Sequence, residues 1–314
     1  STFKMISATA QLQTGILSAS AVLNDTGSYK VPGCMQGYHG CVFYDDEVGG
    51  MGRVNLELAL AGSSDYYFYN LGYLFWAHTK RYGLTPIQDV ATKYGLDQPS
   101  QIDLPDENVG RVDSPTVRKA LHAEAPKAFP NVDWYTGDNL QMAFGQGSTA
   151  VTPMEMAVAY ATFANGGTRY APEVVAGVVN AAGKVTQQYG PKVLGHVALP
   201  ERIRGPILRG LLGVVNSSHG TASGTFRQYA NFNLNAFPIA GKTGTASNAP
   251  GQEPNAWFVA FGPVPHPKYV VLCVIGKGGY GAAAAAPVVV QTFNYLVAHP
   301  VKSVRFGTRI APSR

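Results

Sequence analysis

The spacing of apolar residues predicts helices over much of the chain. Phe3, Ile6 and Ala10 recur at helical spacing within residues 1–14, and Gly15 is a suitable stop for this helix. Thr152-Pro153 pairs a capping residue with a proline at the first helical position, which predicts that another helix begins there. Further helices are predicted at residues 54–61, 66–78, 85–94, 201–215 and 282–298. The helix at 201–215 contains a potential break at Gly205-Pro206.

Strands are predicted near the carboxyl end of the chain. Residues 256–261 and 269–275 are continuous apolar runs of strand length, and 282–298 is expected to cover the resulting sheet. No uninterrupted apolar run reaches the roughly 18 residues of a membrane span. Three stretches are predicted to be irregular: a turn-rich excursion with short strands at 19–53, residues 96–137 with a mobile part near 110–133, and a Ser/Gly/Asn-rich loop at 216–235.

Composition favours one globular, loop-rich domain over residues 1–314. The chain is 46% hydrophobic and only 14% charged, with 36 glycines and 21 prolines, and it shows neither an internal repeat nor a linker-like shift. Its net charge of +5 is spread over scattered Lys and Arg residues without a basic run, so nucleic-acid binding is not expected. The positive net charge therefore indicates either a solvated basic surface or contact with an anionic polymer.

Candidate chemistry centres on the segment Lys242-Thr243-Gly244-Thr245, which follows an apolar run and precedes a polar loop. We place it on a strand at the rim of a cleft. Gly244 lacks a Cβ, so a substrate backbone could lie flat against the strand there. Lys242 supplies positive charge, and the threonine hydroxyls can bind a carboxylate.

Two other short motifs precede this strand. Ser1 and Lys4 form a Ser-x-x-Lys, whose side chains share a helix face, and Ser63-Ser64-Asp65 forms a Ser-x-Asp in a loop between two predicted helices. In this order the three motifs resemble those of penicillin-binding proteins and class A β-lactamases. The chain is most similar to the transpeptidase domain of class B penicillin-binding proteins of the elongation (rod-shape) type. The likeness extends to Asp65-Tyr66-Tyr67-Phe68-Tyr69, Trp134-Tyr135-Thr136-Gly137-Asp138, Phe144-Gly145-Gln146-Gly147, Val151-Thr152-Pro153-Met154-Glu155, Asn165-Gly166-Gly167 and His219-Gly220-Thr221-Ala222.

The resemblance implies an α/β fold of the α+β type, with an antiparallel sheet flanked by helices and a helical subdomain. It implies that Ser1 is the nucleophile and that Lys4, once neutral, is its base, with Lys242 as the neighbouring cation that lowers the pKa of Lys4. Ser63 would relay a proton to the leaving amine. Asp65 replaces the commoner Asn, and either pairs with a lysine or caps the helix that follows.

The resemblance also implies the substrate and its contacts. The backbone N–H groups of Ser1 and Thr245 would form an oxyanion hole, and Lys242, Thr243 and Thr245 would hold the terminal carboxylate of a stem peptide ending in D-Ala-D-Ala. β-Lactams would acylate Ser1. No cofactor is expected. A SEDS-family glycan polymerase is the implied partner, and the extracytoplasmic membrane face is the implied location, with the anchor, a pedestal and two sheet strands upstream of this chain.

The cysteines leave three alternatives. Cys34 and Cys41 are close enough to form a disulfide around a short loop, to remain free thiols, or to bind a metal with His39 and Asp25. Some elongation-type relatives hold zinc with a Cys at the position of Ser64, which disfavours the metal here. Cys273 lies in an apolar run and is predicted to be a buried thiol.

Other activities share parts of this pattern. A class A β-lactamase needs a Glu-x-x-Leu-Asn for its deacylating water, and none lies between Asp65 and Lys242. A D,D-carboxypeptidase would use the same residues with water as acceptor, and a β-lactam sensor would acylate without turnover. An N-terminal-nucleophile hydrolase would use the α-amine of Ser1, but that reading leaves the other two motifs unexplained.

Overall fold

Helix α1 (Lys4–Thr14) is the buried axis of the molecule, since every residue from Lys4 to Leu12 is shielded from solvent. A helix that is buried all round must satisfy its polar side chains internally. Ser7 Oγ donates to the carbonyl of Ala143 at 2.6 Å, and Gln11 Nε2 donates to the hydroxyl of Tyr67 at 2.8 Å. The helix ends as predicted at Gly15, whose φ is +70°.

The structure is a computed structural model that describes residues 1–35, 40–46, 49–229, 232–249 and 251–301. The other helices are α2 (Leu56–Ala61), α3 (Asp65–Ala77), α4 (Thr79–Tyr82), α5 (Pro86–Tyr94), α6 (Pro115–Glu124), α7 (Thr136–Ala143), α8 (Pro153–Ala164), α9 (Glu201–Asn216), α10 (Ser223–Gln228) and α11 (Gly281–Ala298). The strands are β1 (Leu23–Asp25), β2 (Ser28–Lys30), β3 (Val42–Tyr44), β4 (Gly52–Val54), β5 (Thr168–Tyr170), β6 (Gly177–Val179), β7 (Val185–Gln188), β8 (Val193–His196), β9 (Ala240–Ala246), β10 (Asn255–Gly262) and β11 (Tyr269–Ile275).

The main sheet is antiparallel, in the order β11-β10-β9, and separates two hydrophobic cores. Side chains alternate across β10: Phe258 and Ala260 enter the core beneath α11, whereas Val259 and Phe261 enter the core formed with α1, α3 and α9. Lys242 pairs with Val259, and Gly244 pairs with Trp257. The predicted antiparallel sheet, its covering helix and the α+β class are confirmed.

Helix α11 is the one described helix whose length and apolarity would suit a membrane span, although no unbroken apolar run predicted it. Its residues Val289, Val290 and Phe293 are fully buried against the sheet. One face of α11 thus packs on the sheet, whereas Val288, Tyr295 and Val297 are exposed on the rest of the helix.

Two stretches that the sequence predicts to be irregular contain helices. Helix α6 lies in the segment predicted to be mobile, where the Ser114 hydroxyl accepts from the backbone N–H of Val117 and Arg118 pairs with the buried Asp113 at 3.0 Å. Helix α10 lies within the predicted loop 216–235, and its Phe226 is buried in the second core. Helix α9 continues through Pro206, so the potential break does not occur.

The predicted excursion at residues 19–53 is built from two short ribbons. β1 pairs with β4, and β2 pairs with β3, both antiparallel. Tyr29 of β2 packs edge-on against Tyr66 of α3, with ring centroids 5.4 Å apart, and Phe43 of β3 packs against Tyr69. The ribbons thus lie against α3, beside the start of the second motif.

Candidate active site

Ser1 lies in a turn just before α1. The backbone N–H of Lys4 donates to the carbonyl of Ser1 at 3.2 Å, and the regular helix begins at Lys4 rather than at residue 1. Ser1 is half-buried and lines three cavities that meet around it, of about 560, 350 and 280 Å³. The candidate nucleophile is therefore open to solvent on several sides.

The first two motifs meet at the ammonium group of Lys4. This side chain is fully buried, and its Nζ donates to Asp65 Oδ1 at 2.5 Å, to the carbonyl of Ser63 at 2.6 Å and to Ser63 Oγ at 3.1 Å. A buried ammonium needs a countercharge and full hydrogen bonding, and these three contacts provide both. Of the two roles expected for Asp65, the structure supports pairing with a lysine.

The cap of α3 is Ser64, not Asp65. The Ser64 hydroxyl accepts from the backbone N–H of Tyr67 at 3.1 Å and donates to Asp25 Oδ2 at 2.6 Å. Ser63 has a φ of +65°, a left-handed conformation that is rare for residues other than glycine. Because Ser64 satisfies the helix end, the Asp65 carboxylate is left to face Lys4.

Asp45 is a residue of this site that the sequence analysis missed. Its Oδ2 accepts from the backbone N–H groups of Asp65 at 2.8 Å and Tyr66 at 3.2 Å, at the amino end of α3. Burial, and next the nearby charge of Asp65, raise the pKa of Asp45 to about 6. No local pattern marks Asp45, because its partners lie about 20 residues away along the chain.

Lys242 is the second buried lysine of the site. It lies on β9 without solvent exposure, and its Nζ donates to the carbonyl of Thr243 at 3.3 Å. Burial, and then the positive charge of Lys4, hold the pKa of Lys242 well below its ordinary value. This reverses the expected roles, in which Lys4 was the neutral base and Lys242 the cation. Lys4 has a carboxylate partner, whereas burial disposes Lys242 to lose its proton.

Gly244 has a packing role that the sequence did not predict. A Cβ at this position would lie 3.0 Å from Trp257 Cβ and 3.1 Å from Thr2 Cγ2. The missing side chain makes room for Thr2, the residue after the candidate nucleophile, and Gly244 also lines two of the cavities beside Ser1. Glycine here lets the Ser1 turn approach β9.

Residues with hydroxyl groups line the 350 Å³ cavity beside Ser1. Thr243 Oγ1 and Thr221 Oγ1 are 2.7 Å apart, and both residues border the 350 Å³ cavity together with Ser63 and Thr245. Thr221 lies in one of the segments that carried the resemblance, but no role was predicted for it. Of the three residues expected to hold a carboxylate, Thr243 and Thr245 line this cavity, whereas Lys242 is fully buried and does not line it.

The cysteine alternatives are narrowed by the structure. Cys34 and Cys41 are joined by a disulfide, and Cys273 is a free, half-buried thiol. Asp25 is buried and accepts from Ser64 Oγ and from the backbone N–H of Gly27. His39 lies outside the described residues, and within those residues no three His, Cys, Asp or Glu side chains gather as a metal site. Because the disulfide joins Cys34 to Cys41, neither sulfur is free to bind the metal considered above.

The chain is similar to known proteins over most of its length. The family profile described as "Penicillin binding protein transpeptidase domain" matches residues 1–294. The peptidoglycan D,D-transpeptidase MrdA of Salmonella typhimurium is 25% identical over 317 residues, which cover 94% of this chain and 46% of the relative. The chain therefore spans about half the length of the curated relatives it matches.

Solved structures agree in fold. Pseudomonas aeruginosa PBP2, crystallised in complex with WCK 5153, is 25% identical with a TM-score of 0.76, over 96% of this chain and 58% of that one. A chain of the structure described as "Structural coordination of polymerization and crosslinking by a peptidoglycan synthase complex" is also 25% identical. The match covers 96% of this chain and 47% of that one, with a TM-score of 0.70.

Proposed function

Because this chain belongs to the penicillin-binding protein transpeptidase family, we propose that it is the catalytic domain of a peptidoglycan D,D-transpeptidase. The observation that supports this most directly is the buried contact of Lys4 with both Ser63 and Asp65, one turn from Ser1 and beside Lys242. The substrate would be a stem peptide ending in D-Ala-D-Ala, and the mechanism a serine acyl-enzyme.

In acylation, Ser1 Oγ attacks the carbonyl of the penultimate D-Ala, and its proton passes to Lys242, the neutral member of the buried lysine pair. The backbone N–H groups of Ser1 and Thr245 stabilise the oxyanion. The C–N bond then breaks, and the leaving nitrogen takes a proton from Ser63, which Lys4 Nζ replenishes across 3.1 Å. The products are an ester on Ser1 and free D-Ala.

The leaving residue is held by its carboxylate. The hydroxyl-bearing residues Thr221, Thr243 and Thr245 border the cavity beside Ser1 where that carboxylate would sit. In the second half-reaction an amine from a neighbouring stem peptide attacks the ester, and its proton returns through Ser63 to the lysines. A β-lactam carries a comparable carboxylate and carbonyl, and would leave a persistent ester on Ser1.

Partner and location follow from the resemblance and from the titles of the similar structures. A SEDS-family glycan polymerase would supply the nascent glycan chains, which accords with the polymerisation and crosslinking named for one similar complex. The extracytoplasmic face of the membrane is the corresponding location. A disulfide between Cys34 and Cys41 suits such an oxidising compartment.

Intact-protein mass spectrometry after incubation with penicillin G tests this proposal. We expect a lasting adduct of one penicillin mass on the wild type, none on Ser1→Ala, and an unchanged adduct on Ser20→Ala, an exposed control. Rapid hydrolysis without an adduct would instead identify a β-lactamase. Absence of both adduct and hydrolysis would refute a working serine site.

A second measurement separates transpeptidase from its close alternatives. The protein is given an acyl-D-Ala thioester and a D-amino acid as acceptor, and the products are separated by chromatography. Amide product supports the transpeptidase. Carboxylic acid alone indicates a D,D-carboxypeptidase, and a penicillin adduct without either product indicates a sensor.

A further inference from the structure

Two side chains join the opposite walls of the cleft above Ser1. Gln146 Nε2 donates to Ser247 Oγ at 3.0 Å, although 101 residues separate them. Gln146 lies in the loop between α7 and α8, and Ser247 directly follows β9. Both line the 560 Å³ cavity that Ser1 also lines. Neither residue has a place in the chemistry derived above.

The Gln146 loop is held in place from both sides. Gly145 has a φ of +88°, and a Cβ there would lie 2.5 Å from Phe3 Cβ, so the loop presses directly on the Ser1 turn. Gly147 has a φ of +74° and packs against the carboxylate of Asp113. That fully buried carboxylate accepts from the backbone N–H of Ser148 at 2.9 Å. The backbone that presents Gln146 is therefore fixed before any ligand arrives.

The direction of a bound donor peptide follows from the two ends of β9. Its terminal carboxylate belongs near Thr243, and its reacting carbonyl near Ser1 and the N–H of Thr245. Among the described strands, the edge of β9 away from β10 is unpaired. Residues before the scissile bond would extend along this edge past Ala246, and two residues of extended chain cover about 7 Å. They would arrive at the Gln146–Ser247 hydrogen bond.

We propose that Gln146 is a specificity-determining residue that binds the backbone of the donor stem peptide. Its carboxamide offers both N–H donors and a C=O acceptor, the complement of a peptide unit. On arrival of the peptide, Gln146 exchanges its bond to Ser247 for bonds to the peptide backbone. This role rests on the proposed transpeptidase function, and it predicts discrimination between long and short donors.

The test compares acylation rates of the full chain with three ligands. These are a thioester whose acyl group carries two residues before the reacting D-Ala, the N-acetyl-D-Ala thioester that lacks them, and 6-aminopenicillanic acid, which has no peptide-like extension. The variants are Gln146→Ala, Ser247→Ala and the exposed control Gln187→Ala, each checked for folding by thermal denaturation.

We expect Gln146→Ala to slow acylation by the long thioester about tenfold, as loss of a hydrogen-bonded pair would, and to leave the two short ligands within about twofold of wild type. Ser247→Ala should keep or increase the rate with the long thioester, because Gln146 is then free. Gln187→Ala should match the wild type.

Two results would overturn the proposal. One is an equal loss in Gln146→Ala with all three ligands, which means that Gln146 only supports the loop. The other is a loss in Ser247→Ala as large as that in Gln146→Ala, which means that the bridge itself is what matters. Failure of the wild type to react with 6-aminopenicillanic acid would instead contradict the underlying transpeptidase function.

Discussion

The ammonium group of Lys4 lies 2.5 Å from the Asp65 carboxylate, and the two side chains are 0% and 8% exposed. This pair joins the first motif to the second across 61 residues of sequence. A buried ion pair depends on both partners, because either charge left alone in the interior is costly. Asp65 is therefore as much a part of the fold as of the chemistry.

Asp65→Ala should lower the free energy of unfolding by about 3 kcal/mol, since it strands the Lys4 charge in the interior. Asp65→Asn keeps a hydrogen-bond acceptor and should cost less. Glu57→Gln breaks the more exposed ion pair with Arg209 and should cost under about 1 kcal/mol. Denaturant unfolding measures all three, and an Asp65→Ala as stable as Glu57→Gln would contradict the assigned pair.

Lys242 should make stability depend on pH. Its pKa is lowered in the folded chain, so between that pKa and its ordinary value the unfolded chain binds the extra proton. Stability contributed by this group therefore increases as pH rises from the lowered pKa towards the ordinary lysine pKa of about 10.4. Lys242→Met should remove this rise and abolish acylation by penicillin G.

Unfolding free energies across that pH range check this prediction. The exposed Lys119→Met serves as control and should keep the wild-type slope. An identical slope in wild type and Lys242→Met would show that Lys242 is protonated in the folded chain.

Gly145→Ala should impair acylation. Both Gly145 and Gly166 have φ near +90°, so alanine at either position should cost stability by about 1 kcal/mol. Only at Gly145 would the new Cβ strike Phe3, whereas nothing lies within 4 Å at Gly166. We expect at least about tenfold slower penicillin acylation for Gly145→Ala, from displacement of the Ser1 turn, and a near-normal rate for Gly166→Ala. Equal rates in the two variants would exclude this coupling.

Cys34→Ser should destabilise the chain by about 2.5 kcal/mol, the loop entropy expected for a ring of this size. Reductant should destabilise the wild type by a similar amount and leave Cys34→Ser unaffected. Cys273→Ser, which breaks no disulfide, is the control. Thermal denaturation with and without reductant measures the effect, and a wild type indifferent to reductant would contradict it.

Much of the site was predictable because its residues occur in short motifs. Ser1 and Lys4 lie within one turn, Ser63 and Asp65 two positions apart, and Lys242 to Thr245 on one strand. The periodic runs of β10, β11 and α11 likewise placed the sheet and its cover. Local spacing is sufficient where function and secondary structure are both encoded over a few residues.

Contacts between distant segments were not predictable in the same way. Asp45 at the start of α3, Thr221 beside Thr243, and Gln146 against Ser247 join positions with no shared period. Helix α6 is a different case, since Ser114-Pro115 is a recognisable cap and first position that the abundance of turn-forming residues obscured. The packing of Gly244 against Thr2 was likewise not predictable, because the two residues are far apart in sequence.

The arrangement of the main sheet also matters for handling the protein. β11 is an outer strand whose seven residues are all apolar and none fully buried, and within the described residues it pairs only with β10. A long apolar strand with unpaired backbone groups is a template for aggregation. We therefore expect a segment that covers β11 to improve the solubility of the isolated chain without altering the cleft, which lies at the opposite edge of the sheet.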